Sequence, residues 1–381
     1  MAHPSLSRSL RIGIDAHAIG SRLGGNETYI LDVLASLESQ PQHRYFIYVT
    51  DEAAAVKARE ICPTASGVRL IGSSNPFVRL GHRLGALCRT DMVDVLHVQY
   101  VAPLRAPRIV VSVHDLSFVH HPEWYARVER TRFRLTVRRT AAQAQRILTI
   151  SDYSRRDIIE TFRVPEEKVS FSYLRLRPIF TPRPPDEVAP LLERLGIRPP
   201  YVLALGNLQP RKNLKRLIQA WTRLRREAAD FTPQLVIVGR KAWAFDDISA
   251  AARKSQYAND AIFTDYVADA ELPALLSGAQ VFAYPSLFEG FGYPPVEAMA
   301  CGAPVLTSNV TSLPEVCGEA AVYVNPERVE DIADKLLALY RDERRRFELR
   351  ELGLRQAEKY REVDLGGVTV RAYEEAAVQS S

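Results

Sequence analysis

Phe288-Glu289-Gly290-Phe291-Gly292-Tyr293-Pro294-Pro295-Val296-Glu297-Ala298-Met299-Ala300-Cys301-Gly302 is the stretch from which both fold and chemistry are read. An apolar run at 281–284 precedes it. Pro295 suits a first helical turn and Gly302 the position just past a helix end. Strand, glycine-bearing loop and short helix follow in that order, the repeating step of an α/β fold. Gly290 and Gly292 let the backbone come close to a ligand at a helix N-terminus, where free N–H groups and the dipole favour an anion. Glu289 precedes this loop, and Glu297, eight positions on, falls in the expected first turn. Two carboxylates cannot both serve a phosphate. They suit hydroxyl donors such as a sugar ring and a ribose. The plainer alternative is a solvated loop glutamate and a helix acid favoured by the dipole.

The same alternation runs outward along the chain. Strands are predicted at 10–15, 44–50, 68–72, 94–98, 108–113, 146–150 and 169–173, then at 201–205, 234–239, 261–264, 281–284, 304–307 and 320–324. A helix at about 27–39 puts Ile30, Val33, Leu34 and Leu37 on one face, and one at 214–228 aligns Leu214, Leu217, Ile218, Trp221 and Leu224. Seven prolines between Pro178 and Pro200 read as a linker at 179–200. The domains are then 1–178, rejoined by a C-terminal helix at 362–381, and 201–361. Two such halves imply a cleft, with ligands outside the carboxyl ends of parallel strands.

Composition agrees. A length of 381 residues suggests two domains at roughly 150 each, and 46% apolar with 25% charged residues excludes disorder or a rod. Fifty basic against 45 acidic residues leave a net +5, too little to argue for nucleic acid but compatible with an anionic ligand or lipid. Cys62, Cys88, Cys301 and Cys317 form no C-x-x-C pair, so neither a disulfide framework nor a zinc site is expected. Residues 1–9 are polar, and no apolar run approaches the ~18 residues of a membrane span. A cytoplasmic location is expected.

A second segment, Leu205-Gly206-Asn207-Leu208-Gln209-Pro210-Arg211-Lys212-Asn213-Leu214, also leads from strand to helix, with Asn213 as the expected N-cap. It is not a Walker loop, because the glycine before the lysine and the hydroxyl after it are missing. Arg211 and Lys212 sit where a departing diphosphate needs cations.

These segments resemble the retaining glycosyltransferases of family 4, which have the GT-B arrangement of two facing Rossmann-like domains. The resemblance rests on Glu289 to Glu297, on Pro304-Val305-Leu306-Thr307-Ser308-Asn309 with Leu313-Pro314-Glu315-Val316, and on Asp265-Tyr266-Val267 with Glu271-Leu272-Pro273. It spans about residues 10 to 360 and is closest to bacterial mannosyltransferase-like enzymes of polysaccharide assembly. It implies a nucleotide-sugar donor, with GDP-mannose favoured over UDP-glucose or a deoxysugar donor, a glycan or lipid-linked acceptor, and no metal. By resemblance Arg211 and Lys212 bind the diphosphate, Glu289 the sugar, Glu297 the ribose, and the backbone at Val267 the base. Gly290, Phe291 and Gly292 form the donor loop. The chain departs from the family at Asn207, where many relatives have arginine. It departs again at Ser172-Tyr173-Leu174-Arg175-Leu176-Arg177-Pro178, where relatives carry a Pro-Asn-Gly turn.

In the first half, Gly24-Gly25-Asn26-Glu27 lies between a strand and a helix, and by resemblance Gly25 belongs to the loop that closes over the donor's phosphates. His114 in Val113-His114-Asp115 matches the family's active-site histidine. His97, Gln99, Tyr100, Asp15 and His17 also end strands and are candidates for the acceptor pocket. Residues 127–146 hold seven arginines among apolar positions, read either as a basic face for anionic lipid or as a packed helix with solvated arginines. Trp243 is read as surface packing. The alternatives are a sugar-nucleotide epimerase of similar shape, or a non-catalytic basic protein of membranes or nucleic acid.

Overall fold

The computed structural model describes residues 8–21, 24–240, 245–265 and 267–378. Tyr266 and Trp243 lie outside them. The chain divides into two units, one of residues 1–174 with 363–381 and one of residues 175–362.

The first unit carries β1 (Arg11–Asp15), β2 (Arg44–Val49), β3 (Gly67–Leu70), β4 (Val95–Gln99), β5 (Arg108–Ser112), β6 (Arg146–Thr149) and β7 (Val169–Phe171). They form one parallel sheet in the order β3-β2-β1-β4-β5-β6-β7. The strands are buried runs such as Ile12, Ile14, Val95, Leu96, Val110 and Val111, as a sheet covered on both faces demands. Helix Gly25–Leu37 turns Tyr29, Ile30, Val33, Leu34 and Leu37 inward. The C-terminal helix Leu365–Val378 packs against that helix and against β5 and β6, burying Val370 and Tyr373.

The second unit has β8 (Tyr201–Leu205), β9 (Gln234–Val238), β10 (Ala261–Phe263), β11 (Val281–Tyr284), β12 (Val305–Ser308) and β13 (Ala321–Val324). They form a parallel sheet in the order β10-β9-β8-β11-β12-β13. Helix Leu214–Glu227 buries Leu217, Ile218, Trp221 and Leu224, of which the three aliphatic side chains contribute roughly 1.5–3 kcal/mol each. The indole N–H of Trp221 donates to Pro233 O at 2.9 Å, so this buried polar group is satisfied. Each predicted strand is present, with ends that differ by at most two residues.

The proline-rich stretch is not a linker. Residues 185–195 form a helix within the second unit, with Pro184 at its N-cap and Pro185 at its first position, where a missing N–H costs nothing. Val188, Leu191 and Leu192 are buried at helical spacing, a stripe that the prolines mask in the sequence. The departure at 172–178 is ordered too: Leu174 and Leu176 are buried, and Leu176 N–H donates to Tyr360 O at 2.7 Å.

Candidate active site

In the second sheet the strand order reverses between β8 and β11, the place where an open α/β sheet parts its loops and leaves room for a ligand. Arg211 and Lys212 follow β8, and Glu289 follows β11. The loop after β8 turns through Pro210–Lys212 into Asn213, which takes a left-handed conformation with φ 57°. Asn213 precedes the helix but its side chain makes no capping bond. Its amide instead donates to Pro285 O at 2.9 Å and Pro326 O at 2.6 Å. Leu287 N–H donates to Arg211 O at 2.8 Å, and Ser286 Oγ lies 3.0 Å from the same carbonyl oxygen. The cation-bearing loop is thus pinned by its backbone to the loop after β11.

Both cations then converge on Glu289. Lys212 Nζ lies 2.7 Å from Oε1, and Arg211 Nη1 lies 2.8 Å from Oε2. Oε1 also accepts from Tyr284 Oη at 2.8 Å and Ser286 Oγ at 2.6 Å. Lys212 also donates to Tyr284 Oη, and its Nζ sits 4.8 Å from that ring's centroid. Burial raises the Glu289 pKa, but Arg211, Lys212 and the hydroxyl bonds outweigh it and hold the carboxyl at about 2. Burial, with the neighbouring carboxylate, drives the Tyr284 phenol well above its ordinary value, so it stays a donor. Tyr284 and Ser286 carry no motif of their own. Their part comes only from where β11 ends.

Gly290, Phe291 and Gly292 are buried at the start of helix Tyr293–Ala300. Gly292 has φ +98°, and a Cβ there would lie 2.7 Å from Leu313 Cδ2, so the turn admits no side chain. Ser312 Oγ lies 2.9 and 3.0 Å from the carbonyl oxygens of Glu289 and Phe291 and ties the loop to β12's side. Gly239 shows a closer approach: its Cβ would stand 2.0 Å from Gly206 O. Glu297 is not in the first turn, as expected from sequence, because the helix starts at Tyr293 and puts it fifth. It is buried, and its counter-charge is Arg177 Nη2 at 3.1 Å. Val267 is buried just past β10.

In the first unit Gly24 (φ 76°) precedes helix Gly25–Leu37, and a Cβ on Gly25 would meet none of the described residues within 4 Å. His114 follows β5 in a box of Tyr29 and Tyr100, with ring centroids 4.3 and 5.3 Å away. Its Nε2 lies 3.1 Å from Gln99 Oε1, and buried Nδ1 has no hydrogen-bond partner among the described residues. Burial lowers its pKa to about 4, against the pull of Asp115. His97 is not placed to shape an acceptor pocket: it is buried, with Nδ1 2.7 Å from Tyr373 Oη and Nε2 2.7 Å from Ser112 Oγ. It ties the sheet to the C-terminal helix. Asp15 and His17 do meet, at 3.0 Å, but around a partner that the sequence did not announce, the buried Arg79, which bonds to both. Helix Arg127–Gln143 buries Val137, Thr140 and Ala141 and exposes Arg132, Arg134, Leu135 and Arg138.

This is the fold of GT-B glycosyltransferases, with two cations and a buried carboxylate paired at the sheet's switch point. The family model for Glycosyl transferases group 1 matches residues 193–356, and that for Glycosyltransferase Family 4 matches residues 23–173. The chain is 34% identical to O-antigen chain mannosyltransferase B of Escherichia coli over 276 residues, 72% of each protein. It is 33% identical to the MMP alpha-(1->4)-mannosyltransferase of Mycolicibacterium hassiacum, covering 66% of this chain and 58% of that one. Among solved structures, Anabaena HepE in complex with UDP-glucose superposes with a TM-score of 0.75 at 17% identity, over 97% of this chain and all of that one. WaaG, a glycosyltransferase involved in lipopolysaccharide biosynthesis, gives 0.72 at 16%, over 95% and 99%. The chain belongs to the group 1, family 4 glycosyltransferases, and it is a glycosyltransferase. No helix among the described residues is long and apolar enough to cross a membrane.

Proposed function

We propose that this glycosyltransferase moves mannose from GDP-mannose to a hydroxyl of a glycan or lipid-linked saccharide during assembly of a bacterial polysaccharide, with retention at the anomeric carbon. The O-antigen relatives support the mannosyl reading by name. The observation that carries the chemistry is the convergence of Arg211 and Lys212 on buried Glu289. An arginine carries five N–H donors and a lysine three, each with a full positive charge, the donor set that a leaving diphosphate calls for. Held in place beforehand, such donors cost no reorganisation when charge develops, and loss of one costs about 3–4 kcal/mol, or 10²–10³ in rate. N–H groups opening helix Tyr293–Ala300 add to the field. The scheme needs no metal.

Glu289 then has two tasks, aiming the cations and meeting the sugar's hydroxyls. Glu297 takes the ribose, and the backbone at Val267 takes the base. His114, neutral at pH 7 with a pKa near 4, serves as a hydroxyl's acceptor through Nδ1 rather than as a proton carrier. The acceptor's proton then goes to the leaving phosphate oxygen on the same face. The exposed arginines of helix Arg127–Gln143 suit peripheral contact with an anionic inner membrane face.

A thermal-shift screen against GDP-, UDP- and dTDP-sugars tests the donor, because a ligand of the native state alone raises Tm. GDP-mannose is expected to give the largest rise, and the transferred mannose to be α-linked, with full turnover in EDTA. A rise with UDP-sugars alone refutes the donor, a β-linked product refutes retention, and loss of turnover in EDTA refutes metal independence.

A further inference from the structure

Arg177 sits in the segment that departs from the family's Pro-Asn-Gly turn, three residues past the first unit's Leu174. The backbone around it is anchored on several sides. Leu176 N–H donates to Tyr360 O at 2.7 Å, Arg175 Nε to Arg361 O at 3.2 Å, and Arg361 Nη2 to Phe180 O at 2.9 Å. Tyr293, the first residue of the helix that bears Glu297, donates its hydroxyl to Arg175 O at 3.3 Å. The side chain is held as firmly. Its guanidinium lies over the Phe180 ring with Cζ 4.9 Å from the centroid, and its two terminal nitrogens reach different carboxylates. Nη2 meets Glu297 Oε1 at 3.1 Å, and Nη1 meets Asp269, two residues past Val267.

Taking a carboxylate as buried as Glu297 out of water is costly unless a group of opposite charge is paired with it. Arg177 is that partner, and its planar fork spans two acids in a way that the point charge of a lysine does not. A carboxylate accepts about four hydrogen bonds, so an ion pair at Oε1 is compatible with hydroxyl donors on the same group.

We infer that Arg177 is a positioning residue for the donor: through its ion pair it holds the Glu297 carboxylate in the orientation that receives the ribose hydroxyls. The inference rests on the reading of Glu297 as the ribose-binding acid. A purely architectural latch between the 175–180 segment and Asp269 is the competing role, and the two separate in one measurement.

Dissociation constants are measured by calorimetry for GDP and 2′,3′-dideoxy-GDP, and for UDP and its dideoxy analogue, with the wild type, Arg177→Ala and Asp269→Asn. Hydroxyls that donate to an ionised acid make the wild type prefer the ribose form of the nucleotide it binds by about 10- to 100-fold. In Arg177→Ala that preference is expected to fall below about threefold, with the dideoxy form bound nearly as well as by the wild type. Asp269→Asn keeps an acceptor for Nη1 and is expected to retain the full preference. If Arg177→Ala weakens both forms equally, or if Asp269→Asn loses the preference as Arg177→Ala does, Arg177 is a latch and the inference is wrong. If the wild type itself shows no preference for either base, Glu297 does not hold the ribose, and both the reading and the inference fall. Should Arg177→Ala not fold, Arg177→Lys carries the same test: it keeps a cation, and an undiminished preference there and a diminished one in Arg177→Met support the inference, while equal preference in the two overturns it.

Discussion

Glu289→Gln tests the centre of the site, because it keeps the shape of the side chain and removes its charge. In the native unit Oε1 accepts three donors and Oε2 accepts Arg211. An amide turns an N–H₂ toward donors on one side and removes the carboxylate charge that Arg211 and Lys212 both face. Two routes give its cost. The carboxyl falls from 4.5 to about 2 on folding, which at 1.36 kcal/mol per unit is about 3 kcal/mol of stability at neutral pH. Breaking a buried ion pair from one side costs ~3–5 kcal/mol. The folded pKa lies below the unfolded one, so this contribution is complete above pH 4.5 and disappears as pH falls toward 2. Urea titrations of wild type and Glu289→Gln at pH 7, 5, 4 and 3 should differ by about 3 kcal/mol at pH 7 and converge at the acid end. Thermal melts should show Tm lower by roughly 6–12 °C for a unit of this size. A difference under about 1 kcal/mol at pH 7, or one that does not shrink with acid, refutes the claim that Glu289 holds the two cations.

Lys212→Met leaves Glu289 with Arg211, Tyr284 and Ser286. It should therefore cost less stability than Glu289→Gln, about 1–3 kcal/mol, while lowering mannosyl transfer by about 10²–10³. Steady-state rates and melts on the same samples check the two halves separately. In the first unit, burial drives His97 to about 3 and His114 to about 4. The unfolded chain binds the extra protons, so stability is complete above pH 6.5 and declines below it, by about 3 kcal/mol from His114 alone at pH 4. Hydrogen-exchange protection of β4 and β5 should fall between pH 6.5 and 4 while that of β11 holds, and a simultaneous loss counts against this. Gly292→Ala must place a Cβ against Leu313 at positive φ, and should lower Tm and weaken nucleotide binding by at least about 1–2 kcal/mol. An unchanged Tm refutes the strain argument.

Sequence and structure divide the account along a physical line. Strands were legible because a parallel sheet buried on both faces needs continuous apolar runs, and Val95–Gln99 or Gln234–Val238 cannot be mistaken for surface. The turn at Gly292 is legible for a related reason: a backbone at positive φ with a close neighbour restricts residue type locally. The helix Pro185–Leu195 is not legible from composition, because Pro184 and Pro185 sit at its start, where a helix tolerates them, while Pro190 lies inside it, where a proline ordinarily argues against a helix. The sequence pattern leaves a helix start uncertain by a few residues, enough to move Glu297 between the first and second turns.

What local pattern does not encode is which distant charges meet. That Lys212 and Arg211 close on Glu289, more than seventy residues on, is decided by strand order, since β8 and β11 are neighbours only in the folded sheet. The same holds for Arg79 with Asp15, His97 with Tyr373, and Arg177 with Glu297. Each is a charge or hydrogen-bonding group taken out of water. Burial makes its partner obligatory, but only the packed chain determines which residue that partner is.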